Sequence, residues 1–214
     1  MALAILLVAA GCAAPRPSAS RSTAEAHNDR GVTYFERGEP RRAAEEFERA
    51  LALRPDWARA LVNLGDARLA LGEVGSAIEA YRRAVTIAPD DPGAANNLAW
   101  ALLQDPVRWP EAEPVIQGAL ARQPEPRGYY LDTLGAVLLK KGDDRAALAV
   151  FREALDDPGL TERSARALVL DHTADAHARL GDGTAAARCR ELAAAVRAGG
   201  PGALSSVGDR AVVC

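Results

Sequence analysis

The residues able to do chemistry are few and scattered. The three histidines are His27, His172 and His177. None sits in the His-Glu-x-x-His spacing that puts two imidazoles on one helix face around a zinc ion. Asp171 and Asp175 lie four apart and share a helix face, which is one way to hold a cation. His172 and His177, five apart, diverge around the same helix by more than about 100°, so the cluster Asp171, His172, Asp175 and His177 reads as a solvated helix face. Ser76 and Ser164 stand beside expected helix starts, where a hydroxyl caps free N–H groups, and neither has the strand-turn-helix elbow of a nucleophile. No glycine-rich phosphate loop occurs. Cys189 sits among helix formers as a small buried residue, Cys214 is the last residue, and neither has metal-ligand spacing. The two are open to pairing or to remaining free thiols in an oxidising compartment. No catalytic residue, metal site or cofactor is expected.

The composition points to helix packed on helix. The chain has 214 residues, 49% hydrophobic and 26% charged, with only 5% aromatic and alanine recurring throughout. Its net charge of -3 comes from 26 basic and 29 acidic residues interspersed along the chain. A nucleic-acid partner, which requires a basic face, is therefore disfavoured.

The pattern repeats with a fixed period. Gly31, Tyr34, Ala43, Phe47, Ala50 and Pro55 reappear 34 residues later as Gly65, Arg68, Ala77, Tyr81, Ala84 and Pro89. In the second unit Leu61, Leu64, Arg68 (through its alkyl stem) and Leu71 form one helical stripe. Gly72 ends that helix, and Ala77, Tyr81 and Ala84 form the stripe of a second. Gly65 and Ala77 are small where the two axes approach, and Pro89 stops the second helix. One hairpin cannot bury both faces, so stacking must supply the core.

This period and residue order resemble the tetratricopeptide repeat (TPR). The resemblance implies an all-α, right-handed superhelical solenoid of about four to five helix-turn-helix repeats, spanning residues 24–198. The units are 24–57, 58–91, 92–126 and 128–159, with a degenerate capping unit at 163–198. The third carries one added residue in its turn, DPVRWP, and Arg190 takes the large apolar site of the capping unit. Residues 199–214 read as a flexible tail.

In TPR arrays the first helix of each hairpin lines a concave groove through repeat positions two, five, nine and twelve. Carried over by that resemblance, the partner-binding groove comprises Asn28, Val32, Phe35, Arg59, Val62, Asp66, Asn96, Trp100, Tyr129 and Asp132, with Asn63 adjoining. Asn28, Asn63 and Asn96 are suited to bonding a peptide backbone, and Phe35, Trp100 and Tyr129 to anchoring apolar side chains. Val32, Val62 and Asp66 occupy sites where carboxylate-clamp domains carry Lys and Asn, so that specialised function is not expected.

The N-terminus adds a location. Residues 2–10 are an unbroken apolar run, too short to span a bilayer as a helix and suited to a signal-peptide core. The run ends in LVAAGC, which resembles a bacterial lipobox and implies lipidation at Cys12 after removal of the segment before it. Residues 13–23, AAPRPSASRST, read as a Pro/Ser-rich tether. The expectation is a non-catalytic adaptor that is lipid-anchored to the bacterial cell envelope, facing the periplasm or exterior. Its concave groove would be offered to a peptide or protein partner such as an envelope assembly. The alternatives are a soluble cytosolic TPR interaction module and, third, a TPR-associated hydrolase.

Overall fold

Three glycines decide how the helices meet. A Cβ on Gly31, Gly65 or Gly135 would fall closer than 3.0 Å to ring carbons of Phe47, Tyr81 and Phe151 respectively, nearer than real Cβ atoms are found. Each ring packs against the bare backbone of its glycine, and all three are at most 1% exposed. Burying one such side chain is worth roughly 1.5–3 kcal/mol.

The computed structural model describes residues 19–199. They form ten α-helices in five successive hairpins: α1 (Ala19–Glu36) with α2 (Pro40–Leu53), α3 (Ala58–Ala70) with α4 (Val74–Ile87), α5 (Pro92–Gln104) with α6 (Ala112–Leu120), α7 (Gly128–Lys141) with α8 (Asp144–Asp156), and α9 (Arg163–Arg179) with α10 (Gly183–Ala198). Packing runs within each hairpin and from each to the next. The first helices α1, α3, α5, α7 and α9 touch in a row along one face, and the fold is an all-α TPR solenoid.

The hairpin turns follow from local chemistry. Gly72 adopts a φ of 75°, which only glycine takes readily, and lets the Glu73 N–H reach back to the Arg68 carbonyl at 2.9 Å. Gly38, Gly142 and Gly181 stand at the same point of their hairpins. The third hairpin has no such glycine. There the Asp105 carboxylate accepts the N–H groups of Val107 and Arg108 at 2.9 and 2.8 Å and receives Arg108 Nε at 3.0 Å. Those bonds hold its carboxyl down to about 2, and the added residue is absorbed by a 3-10 turn, Trp109–Glu111, before a short α6.

Several local expectations are corrected. Helix α1 begins at Ala19, so residues 19–23, assigned to the tether, are helical. Ser76 and Ser164 cap nothing: α4 and α9 start after Glu73 and Glu162 without a side-chain cap, and Ser164 Oγ donates to the Glu162 carboxylate. The caps are aspartates, Asp91, Asp143 and Asp182, each accepting from the first-turn backbone. Gly199 is no part of a tail. It closes α10 in the left-handed region at a φ of 68°, its N–H on the Val196 carbonyl at 3.2 Å. The rest of the expected tail lies outside the described residues.

The insertion between the fourth and fifth hairpins is packed. Leu160 is fully buried, and Arg166, 9% exposed, crosses beneath it to donate to the carbonyls of Leu155 and Leu160 at 2.8 and 3.0 Å. Arg166 thereby satisfies the Leu155 carbonyl, left free where α8 ends, and the Leu160 carbonyl of the insertion. Burial drives its pKa down, against the pull of Asp156 and Asp157.

Candidate functional site: a polar ladder and cleft on the concave face

The row of first helices is joined by side chains at a constant repeat offset. Position five of one unit faces position six of the next. Asn63 Nδ2 donates to Asn28 Oδ1 at 2.9 Å, tying α3 to α1. At the far end His172, which precedes Gly181 by the same interval as Asn63 precedes Gly72, brings Nδ1 to 2.7 Å from Asp132 Oδ1 and ties α9 to α7. Between them Val62 breaks the pattern, and Asn97 Nδ2 donates instead to Asp66 Oδ1 at 3.3 Å. The remaining rung would pair Asn96 with Thr133, but Thr133 Oγ1 turns to its own helix and donates to the Tyr129 carbonyl at 3.4 Å. Asn96 Oδ1 is left buried with no partner among the described residues.

Where that rung is missing the face opens into a cleft of about 220 Å³, bordered by Asp66, Asn96, Trp100, Tyr129 and Asp132. These five are residues that the repeat register assigns to the groove. Asp66 also accepts the Tyr81 hydroxyl at 2.6 Å, and burial raises its pKa despite that bond. Asp132 is 7% exposed. Burial pulls the His172 pKa down, but the Asp132 hydrogen bond and charge, with Asp175 and Asp171 behind, outweigh it and raise the pKa. The His172 ring lies between Phe151 and Trp100, with ring centres 5.7 and 6.2 Å away. The Tyr129 hydroxyl reaches Glu162 at 3.4 Å.

The other six assigned residues lie outside the cleft. Asn28, 5% exposed, and Asn63 are bonded to each other and join helices, so they do not stand free for a peptide backbone. Val32 packs against the cluster of Ala43, Ala44, Phe47 and Ala67, and Val62 is half-buried against Leu61 and the main core. Arg59 and Phe35 are exposed. Asn97, Thr133 and Leu168 line the cleft without having been singled out. The offset between positions five and six was the signal that finds Asn97, Thr133 and His172.

The expected solvated face around His172 is also corrected. His172 points into the stack, His177 is 6% exposed, and Asp171 and Asp175 are held by Arg197 and Arg190 of α10. His172 faces Asp132 of α7 and Phe151 of α8, while His177 Nδ1 lies 3.8 Å from Asp182 at the turn into α10. Among the described residues no group of three His, Cys, Asp or Glu is placed to hold a metal. Cys189 is fully buried and disulfide-bonded; Cys12 and Cys214 lie outside the described residues. None of the helices described is long and apolar enough to cross a membrane.

A solenoid of helical hairpins with a polar, aromatic-lined concave face is the architecture of a protein-interaction scaffold. Residues 28–92 match the family model for the tetratricopeptide repeat, and most of the chain superimposes on solved structures of the same helical-hairpin fold. MamA from Desulfovibrio magneticus RS-1 aligns with a TM-score of 0.65 at 17% identity, over 83% of this chain and 96% of that one. PilW, described as a widely conserved type IV pilus biogenesis factor, aligns with a TM-score of 0.69 at 21% identity, over 80% and 77%. PilF of Pseudomonas aeruginosa gives 0.67 at 23% identity, over 82% and 77%. At these identities the likeness concerns the fold. Protein FlbA of Caulobacter vibrioides is 35% identical over 109 residues, 51% of this chain but 18% of FlbA, so the chain spans less than a fifth of that relative's length.

Proposed function

We propose that this protein is a non-catalytic adaptor of the bacterial cell envelope, tethered through a lipid on Cys12, whose concave cleft grips a segment of a protein partner. The observation that carries the reading is the meeting of Trp100, Tyr129, Asp66 and Asn96 from three separate helices around one open cleft. Aromatic anchors beside buried polar groups are the composition of binding hot spots. The lipobox-like LVAAGC and the Pro/Ser-rich residues behind it support the anchor. PilW, a pilus biogenesis factor, shares the fold and makes an envelope assembly the first class of partner to test. The test is crosslinking and capture of the tagged chain from native membranes, comparing wild type with cleft variants. A partner lost with the cleft variants supports the reading; a partner held equally by all of them moves the interface elsewhere.

A further inference from the structure

Three side chains that line the cleft, Asp66, Asn96 and Asp132, offer oxygen acceptors, whereas the neighbouring donors of Tyr81, Asn97, Tyr129 and Thr133 are already directed to Asp66, Asp66, Glu162 and the Tyr129 carbonyl. Asp66 contributes a carboxylate whose hydrogen-bond partners among the described residues are both neutral, the Tyr81 hydroxyl and the Asn97 amide. Asn96 contributes a buried carbonyl oxygen with no partner among the described residues. Asp132 contributes a second carboxylate, and only this one has a compensating group behind it, His172. No lysine or arginine lines the cleft, so nothing in its walls neutralises Asp66. The aromatic rings Trp100 and Tyr129 also line it, beside the apolar Leu69 and Leu168. At about 220 Å³ the cleft is smaller than the roughly 300 Å³ at which small-molecule sites begin, and it matches a single long side chain.

We infer that this cleft is a socket for one arginine side chain of the partner segment, with the guanidinium donating to Asp66 and Asn96 and stacking on the Trp100 and Tyr129 rings. The acceptors come from different helices, Asp66 on α3, Asn96 on α5 and Asp132 on α7. A planar fork with five donors spans separated acceptors in a way that a lysine ammonium, a point donor on a flexible stem, does not. Guanidinium is also the more weakly hydrated cation and the better partner for aromatic faces. A hydrogen-bonded buried site rejects analogues that lack the matching charge and donors.

This inference rests on the cleft being the partner site, and its test is independent of the partner's identity. The probes are the tripeptide acetyl-Ala-Arg-Ala-amide and its citrulline and lysine counterparts, titrated into the full-length chain. The readout is the indole N–H resonance of Trp100, assigned with Trp100→Phe. The arginine peptide is expected to shift it saturably, with citrulline and lysine at least about tenfold weaker. Asp66→Asn, which retains an acceptor for Tyr81, should weaken the arginine peptide by about tenfold and leave citrulline unchanged. Asn96→Asp should tighten arginine binding, a gain that a folding defect does not mimic. The inference is overturned by equal binding of arginine and citrulline, by an unmoved resonance up to about 10 mM peptide, or by a folded Asp66→Asn that binds as wild type. If partner capture depends on Trp100 while arginine and citrulline bind alike, only the arginine assignment fails. If the peptide binds selectively while capture ignores every cleft variant, the adaptor reading of the cleft fails and the socket stands.

Discussion

His172 and Asp132, forty residues apart, face each other across the fourth and fifth hairpins with Nδ1 and Oδ1 separated by 2.7 Å. The pair occupies the same repeat positions as Asn63 and Asn28 in the first two hairpins, 2.9 Å apart. One geometric slot thus holds a neutral amide pair at one end of the solenoid and an ionisable pair at the other.

That difference makes the C-terminal end pH-sensitive. The His172 pKa is raised above its ordinary value of 6.5, because the Asp132 bond and charge, with Asp175 and Asp171 on its own helix, outweigh burial. Trp100 and Phe151 supply only neutral rings, and Arg197 and Arg190 partly offset the two outer aspartates. A raised folded-state value means that the stabilisation is fully present below the unfolded pKa and is lost as pH rises through the folded one. Thermal melts of wild type and His172→Asn should therefore differ most near about pH 6 and converge towards about pH 9. A gap that widens with pH contradicts the assignment.

Gly65 and Tyr81 test the packing of the hairpin. Gly65→Ala places a methyl group inside the Tyr81 ring and should cost about 1–3 kcal/mol by overpacking. Gly183→Ala, at a helix start with nothing within 4 Å, should be neutral or stabilise by up to about 1 kcal/mol. Chemical denaturation of the two variants checks the contrast, and equal effects would show that the ring does not lie on that backbone.

Trp100 and Tyr129 should matter to a partner more than to the fold. Trp100→Ala combined with Tyr129→Ala is expected to weaken capture by about 2 kcal/mol or more, roughly thirtyfold. Leu98, 5% exposed in the core one position from Asn97, should instead cost about 2–5 kcal/mol of stability on truncation to Ala. Circular dichroism and recovery of the crosslinked partner separate the two outcomes.

The anchor is tested at Cys12. Wild type should fractionate with membranes and incorporate a fatty-acid analogue, whereas Cys12→Ser should do neither. Equal solubility of the two removes the lipid anchor from the proposal.

The sequence by itself determined the repeat and hence the architecture. The 34-residue recurrence of Gly31 and Phe47 as Gly65 and Tyr81 encodes a contact between neighbouring helices in one hairpin, a local interaction that one stretch of chain specifies. The same register placed Asp66, Asn96, Trp100, Tyr129 and Asp132 on the inner helices, because each needs only its position within its own unit. Tertiary structure decided which of the inner residues remain available. Asn28 and Asn63 are spent on each other, Asn96 is not, and the difference depends on whether the next unit presents an amide at position six or a threonine that bonds its own helix. It also turned His172 and His177 inward, since α7 and α8 on one side and α10 on the other cover faces of α9 that periodicity alone leaves to solvent. Pairing across units depends on two side chains from different repeats and on the angle between them, and a one-dimensional pattern carries neither.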